Sequence, residues 1–258
     1  MKPPPPTDLT PTLSIVVPAL NEQDNVGPLA EEVARTLNER DGLDVELIIV
    51  DDGSDDQTPH RLAELCRKHP WVVALRRERP EGQSAAMYAG IQAARGAYVA
   101  TLDADLQNDP GELGAMLALL QKHNADLVQG DRSADRQDTF MRRRASGVGR
   151  GARRLILGDP VRDTGCSARV LRAEYAKQLP LQFKGMHRFV PAYCRLLGAK
   201  IVEMPVKHRR RHSGTTKYGV GVLSRGLRGL VDCFAVRWMA RRIRPTQVSR
   251  ISTTQEAE

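Results

Sequence analysis

Val45-Glu46-Leu47-Ile48-Ile49-Val50-Asp51-Asp52-Gly53-Ser54 is the stretch that decides the fold. All but Glu46 of its first six positions are aliphatic, and the run then stops on two carboxylates and a glycine. A short, nearly unbroken apolar strand suits a parallel sheet that is covered on both faces. Working outward, similar strands are expected at 13–18, 71–75, 97–102 and 125–129. Helical periodicity fills the gaps at 24–40, 58–68, 83–94 and 110–122. Strands alternating with helices predict βαβ units, hence an α/β fold with a Rossmann-like, mostly parallel sheet flanked by helices. Beyond Asp131 the order loosens into an Arg-rich segment up to 157 and a β-like stretch at 164–171. A helix at 187–197, a strand at 200–206 and an amphipathic helix at about 220–242 follow.

The domain reading follows from this pattern. Residues 1–11 are a Pro-rich tail expected to be disordered, 12–219 the α/β domain, 220–244 a basic amphipathic helix, and 245–258 a polar tail. The 258-residue chain is 41% hydrophobic and 27% charged, an ordinary globular composition. No apolar run reaches transmembrane length, and the N-terminus has no secretory signal pattern, so a cytoplasmic protein is expected. Cys66, Cys166, Cys194 and Cys233 are far apart and form no CxxC pair, which favours reduced thiols over zinc.

The net charge of +8 hides a division. Residues 1–128 carry 11 Lys/Arg against 21 Asp/Glu, net −10, and residues 129–258 carry 28 against 10, net +18. One chain therefore has two chemical jobs, and one of them faces an anion.

Ligands of open parallel sheets bind at the carboxyl ends of strands. Three such ends bear polar clusters: Pro18-Ala-Leu-Asn21-Glu22, Asp51-Asp52-Gly53-Ser54 and Asp103-Ala-Asp105-Leu-Gln107. Their convergence on one edge predicts a shared site. Neither GxGxxG after the first strand nor GxxxxGK[ST] occurs, which disfavours dinucleotide and P-loop modes. Asp103-x-Asp105 is a hard oxygen pair suited to Mg²⁺ or Mn²⁺, a cation that commonly joins one or two carboxylates to substrate phosphates.

These residues resemble a family 2 glycosyltransferase of the GT-A fold. The matching stretches are Ser14-Ile-Val-Val-Pro18-Ala-Leu-Asn-Glu22, Val50-Asp-Asp-Gly-Ser54-x-Asp56-x-Thr58 and Asp103-Ala-Asp-Leu-Gln107. In the second half the stretches are Asp163-Thr-Gly165 with Arg169, then Lys184-Gly-x-His187-Arg188-Phe189. Val206-x-His208-x-x-Arg211-x-x-Gly214-x-x-Lys217-Tyr218-Gly219 completes the set. These resemble the polyprenyl-phosphate sugar transferases, the group of dolichol-phosphate mannose synthase. The resemblance implies an inverting transfer from GDP-mannose or a UDP-sugar to a polyprenyl phosphate. It implies that Pro18, Asn21, Glu22, Asp51 and Asp52 border the nucleotide together with Asp103. Asp103, Asp105 and Gln107 would hold the metal. Arg132, Arg142, Ser146, Arg211 and Lys217 would face the acceptor phosphate, and Asp103, Asp105, Arg132, Arg211 and Lys217 would carry catalysis. Arg210 stands where relatives often have Pro, and Thr216 where they often have Ser.

An acceptor phosphate is already ionised near neutral pH, so it needs arginines rather than a general base. Residues 205–250 hold twelve Lys/Arg and one acid, Asp232. Leu223, Leu227, Leu230, Val231, Phe234 and Trp238 recur there at helical spacing, a pattern expected to lie peripherally on the cytoplasmic face of a membrane. Phe234 stands where processive relatives carry Gln before Arg-Trp, so Arg237-Trp238 is read as membrane-facing. Nucleic acid is disfavoured, because aromatics make up only 4% and no recognition motif appears. A hydroxyl acceptor in cell-envelope glycan or lipid synthesis is the alternative, and a non-enzymatic binder of sugar-nucleotides the remote one. A partner membrane protein or a homo-oligomer stays open.

Overall fold

The computed structural model describes residues 11–133, 151, 153–211, 213 and 222–242, with side chains from 229 onward in the last stretch. The order is β1 (Leu13–Ala19), α1 (Val26–Val33) running into a π-helical segment (Ala34–Arg40), β2 (Val45–Asp51), α2 (Thr58–Lys68) and β3 (Val72–Arg76). Then come α3 (Gln83–Ala93), β4 (Tyr98–Thr101), α4 (Glu112–Lys122) and β5 (Leu127–Asp131). The second half adds β6 (Arg169–Arg172), α5 (Ala173–Ala176), a 3₁₀ turn (Met186–Phe189), α6 (Val190–Leu196), β7 (Ile201–Pro205) and α7 (Val222–Ala240). The sheet order is β3-β2-β1-β4-β6-β5-β7.

The sheet divides the core by side-chain alternation. Leu13, Ile15 and Val17 of β1 with Leu47 and Ile49 of β2 face one layer, closed by Val26, Leu29 and Val33 of α1 and Leu113, Met116 and Leu120 of α4. Val16, Ile48 and Val50 face the other, closed by Ala86, Met87 and Ile91 of α3, Val190 and Cys194 of α6, and Cys233 and Val236 of α7. The small residues of α3 have a steric reason. A Cβ on Gly90 would lie 2.5 Å from Val16 Cγ1 and 3.0 Å from Val50 Cγ2, so the helix backbone rests directly on β1 and β2.

One strand departs from the parallel expectation. β6 runs antiparallel between β4 and β5, with Arg169 opposite Thr101 and Gln129. Its reversal brings the start of β6 to the edge where β1, β2, β4 and β5 end. The segment 163–169 thereby joins the carboxylate loops. Four residues of apolar alternation cannot reveal strand direction, because the pattern reads the same both ways. The expected single helix at 24–40 is α1 plus the π-helical segment.

Candidate active site

Each carboxylate loop turns through a residue in the left-handed region: Asn21 at φ 54°, Gly53 at φ 78° and Leu106 at φ 60°. For Gly53 no side chain is possible in any case, since a Cβ would sit 2.8 Å from the Arg79 carbonyl carbon. Asn21 and Leu106 hold uncommon backbone geometry for non-glycine residues, the kind of strain that gathers at functional edges.

The first two loops are sewn together. Asn21 N donates to Ser54 Oγ at 2.8 Å, and Asp55 N donates to Asn21 Oδ1 at 3.0 Å. Glu22 N donates to Thr58 Oγ1 at 2.8 Å, while Asp56 Oδ1 accepts from Thr58 N at 2.8 Å in the turn that leads into α2. Glu22 also accepts from the Asn25 amide. Asn21 and Glu22 thus position the loop with their backbones, and Pro18 closes β1 opposite Val50. Asp51 is buried at 1% exposure; its Oδ1 accepts from Ser54 N at 2.9 Å, whereas its Oδ2 accepts no hydrogen bond and has Arg76 Nε at 3.6 Å. A buried carboxylate oxygen without a donor is a ready acceptor for a base or ribose group.

Asp52 does something else. Its carboxylate is fully buried and accepts from Gly82 N at 2.7 Å, Glu81 N at 3.1 Å and Arg77 Nη1 at 3.3 Å. Beside its expected place at the nucleotide, Asp52 has a structural role: it lies beneath the loop before α3 and holds the backbone where that helix begins.

The third loop holds the candidate cation ligands. Burial of the carboxylate first, and the neighbouring Asp105 second, push Asp103 above the usual carboxylate range. Gln83 Nε2 donates to Asp103 Oδ1 at 2.7 Å. Asp105 Oδ1 accepts from Gln107 N at 3.1 Å, and Asp105 Oδ2 pairs with Arg211 Nη2 at 2.8 Å. The Gln107 amide nitrogen lies 3.5 Å from His208 Nε2. Among the described residues no group of three or more His, Cys, Asp or Glu is arranged to hold a metal. Asp103 and Asp105 lie close enough for the charge of one to act on the other, and carboxylate and amide oxygens are the donor chemistry of a hard cation such as Mg²⁺ or Mn²⁺.

The basic loop crosses this edge. Arg209 N donates to the Gln107 carbonyl at 2.8 Å, its guanidinium binds Glu32 at 2.7 Å and also pairs with Asp109, and Asn25 Nδ2 reaches the Ser213 carbonyl at 3.3 Å. The +18 half thus lies directly against the −10 half at the site. Arg132 belongs to the same neighbourhood, but Asp163 engages its guanidinium at 2.8 Å (Nε) and 3.2 Å (Nη2). Both side chains are under 10% exposed, so this is a buried ion pair that holds the 163–165 turn. Its expected acceptor contact would have to be made around that pair. Arg142, Ser146 and Lys217 lie outside the described residues.

A pocket beside Asp103 is lined by Gln83, Thr164, Ser167, Arg169 and His187 among others. Arg169 and His187 had a motif but no firm role, while Gln83 and Ser84 had neither. Arg169 is buried at 2% exposure and donates to the His187 carbonyl at 3.0 Å and to the Cys166 carbonyl. Ser84 Oγ lies 2.7 Å from His187 Nδ1. Burial, then Arg188 and Arg169, push His187 down to about 3, so its imidazole is neutral near pH 7. Burial raises the Cys166 thiol to about 11, and all four cysteines are free. The Gly82-Gln83 pair opening a small-residue helix was the available signal for Gln83.

α7 buries Cys233 and Val236 while Val231, Phe234 and Trp238 are 58–61% exposed. Arg242 stacks over the Trp238 ring at 4.7 Å. Among the described residues no helix is long and apolar enough to cross a membrane.

The comparisons with known proteins agree with this geometry. The model of the family described as glycosyl transferase family 2 matches residues 14–179. The dodecaprenyl-phosphate galacturonate synthase of Rhizobium johnstonii is 38% identical over 232 residues, 89% of this chain and 67% of the relative. The undecaprenyl-phosphate 4-deoxy-4-formamido-L-arabinose transferase of Edwardsiella ictaluri is 36% identical over 86% of this chain and 67% of the relative. Among solved structures, glucosyl-3-phosphoglycerate synthase from Mycobacterium tuberculosis with Mn²⁺ and UDP has a TM-score of 0.62 at 20% identity, covering 92% of this chain and 82% of that one. The Pyrobaculum calidifontis mannosyltransferase PcManGT with GDP-Man and Mn²⁺ has a TM-score of 0.63 at 16% identity, covering 93% and 67%. The chain is a glycosyltransferase with the GT-A architecture and belongs to glycosyltransferase family 2.

Proposed function

We propose that the enzyme moves a sugar, with inversion, from a nucleotide-sugar to a polyprenyl phosphate at the cytoplasmic face of a membrane. The observation that carries this reading is the meeting of the two charge halves at one edge, with Arg211 on Asp105 and Arg209 across Gln107. Its two 36–38% identical relatives are both named for prenyl-phosphate acceptors. Asp51, Asn21 and Glu22 border the nucleoside. Asp103, Asp105 and Gln107 would hold Mg²⁺ or Mn²⁺, whose charge would offset that of a nucleoside diphosphate.

The acceptor phosphate oxygen attacks the anomeric carbon, and the bonding electrons leave with the nucleoside diphosphate. The acceptor is already anionic, so the chain supplies orientation and charge rather than a base. This fits a pocket in which His187, pushed down to about 3, is a neutral and weakly basic imidazole. Arg211, Arg132, Arg142, Ser146 and Lys217 form the acceptor side, with Arg211 able to exchange Asp105 for a phosphate. The exposed Val231, Phe234 and Trp238 with Arg237, Arg241 and Arg242 form the membrane-facing side of α7, where a polyprenyl tail stays in lipid while its phosphate reaches the site.

The test is a donor screen of GDP-mannose, UDP-glucose, UDP-galacturonate and UDP-linked aminosugars with a polyprenyl phosphate and Mg²⁺ or Mn²⁺. Label in an organic-extractable product is expected from one donor class. Transfer to soluble hydroxyl acceptors without any to polyprenyl phosphate would overturn the reading.

A further inference from the structure

We propose that Gln83 is the positioning residue that orients the Asp103 carboxylate toward its cation, and that the first turn of α3 is built to hold it there. The inference rests on the nucleotide-sugar reading and extends it to a residue outside the three carboxylate loops. Gln83 is the first residue of α3, and its Nε2 donates to Asp103 Oδ1 at 2.7 Å. Ser167 also bonds this carboxylate. A carboxylate with two such donors is fixed in rotation and keeps lone pairs directed elsewhere.

The support behind Gln83 is unusually rigid for a surface helix start. Gly82, at φ 98°, turns the chain into α3, and its N–H is held by the buried Asp52 carboxylate at 2.7 Å. The next side chain, Ser84, is 3% exposed and locked between His187 Nδ1 at 2.7 Å and His187 N at 3.2 Å. Gly90, one turn and a half further on, seats the helix against β1 and β2. These contacts that fix the turn do not involve Asp103, so the backbone that carries Gln83 is held by groups other than the carboxylate it meets.

Ligand-orienting partners commonly contribute 10- to 100-fold to metal affinity. The experiment measures Mn²⁺ binding from the free-ion electron paramagnetic resonance signal, with UDP and with GDP present, alongside the apparent KM for Mn²⁺ in transfer. Gln83→Met keeps the shape without the donor, and Gln83→Asn keeps the amide but falls a methylene short. Both should weaken Mn²⁺ binding about tenfold or more, raise KM for Mn²⁺, and regain most of kcat at saturating Mn²⁺. Gln83→His, whose Nε2–H reaches equally far, should recover to within about threefold of wild type. Wild-type affinity in both Gln83→Met and Gln83→Asn overturns the proposal. So does a loss in all three variants that tracks a fall in thermal midpoint. Failure of the wild-type protein to bind Mn²⁺ with either nucleotide strikes instead at the functional reading itself.

Discussion

The carboxylate edge and the C-terminal helix are built on opposite rules. At the edge, the side chains that matter are held by named partners: Asp51 by Ser54, Asp52 by two backbone N–H groups and Arg77, Asp103 by Gln83, Asp105 by Gln107 and Arg211. On α7, one stripe with Cys233 and Val236 packs inward, while Val231, Phe234 and Trp238 stand in solvent beside arginines. The edge specifies positions to fractions of an ångström, as chemistry on a phosphate demands. The helix presents only a sign of charge and an apolar surface, which under the proposed function is what a fluid anionic membrane would recognise. Substitutions at the edge should therefore act on rate or stability, and those on the outer face of α7 on partitioning.

The sharpest way to break that contrast is Asp105→Ala. Transfer of labelled sugar should fall by roughly 10²–10³-fold with the fold intact by circular dichroism, and a near wild-type rate would remove Asp105 from the chemistry. Next, Phe234→Ser with Trp238→Ser should lower binding to vesicles containing about one-third anionic lipid by tenfold or more. Thermal stability should stay within a degree or two, because both side chains are exposed. Arg241→Gln with Arg242→Gln should give a loss of comparable size, about 1 kcal/mol per charge, that unlike the apolar one disappears in high salt. Arg211→Gln should instead lower transfer and leave vesicle binding unchanged. If the two arginine sets behave alike, the division between site and surface fails.

Asp52→Asn tests the scaffold within the edge. One of the backbone N–H groups at 81 and 82 loses its acceptor, so urea denaturation should show a loss of about 1–3 kcal/mol. The smallest effect concerns His187. Its folded pKa, near 3, lies below the ordinary 6.5, so below pH 6.5 the unfolded chain binds the extra proton first. The stability this provides is complete above about 6.5 and is lost as pH falls toward 3. Between pH 7.5 and 5 the drop should be roughly 1–2 kcal/mol, and His187→Gln should flatten it in urea titrations at the two pH values.

Much of the donor side was legible because its signals are local. α2 runs from Thr58 to Lys68 as its sequence predicts, since Asp56 turns the chain into it through the Thr58 N–H and Pro59 sits at its start. The three carboxylate clusters follow three apolar strands directly, so their shared edge could be inferred from connection rules alone. Arg132 could not be read this way: its partner Asp163 is 31 residues away, and only the fold brings the two together. Asp51 and Asp52 look equivalent in the sequence, yet one holds the Ser54 N–H in its own loop and the other lies beneath the loop before α3.

What the sequence determined by itself was periodicity and chemistry: an α/β sheet, three acidic strand ends, and a basic amphipathic helix. These depend on neighbours two to four residues apart. The tertiary structure alone decided the antiparallel entry of β6, the seating of α3 on β1 and β2, and the hold of Gln83 on Asp103. Those choices depend on which distant backbones lie close enough to exclude a Cβ or to share a hydrogen bond. Such distances are set by how the layers pack, and no local pattern of residues encodes them.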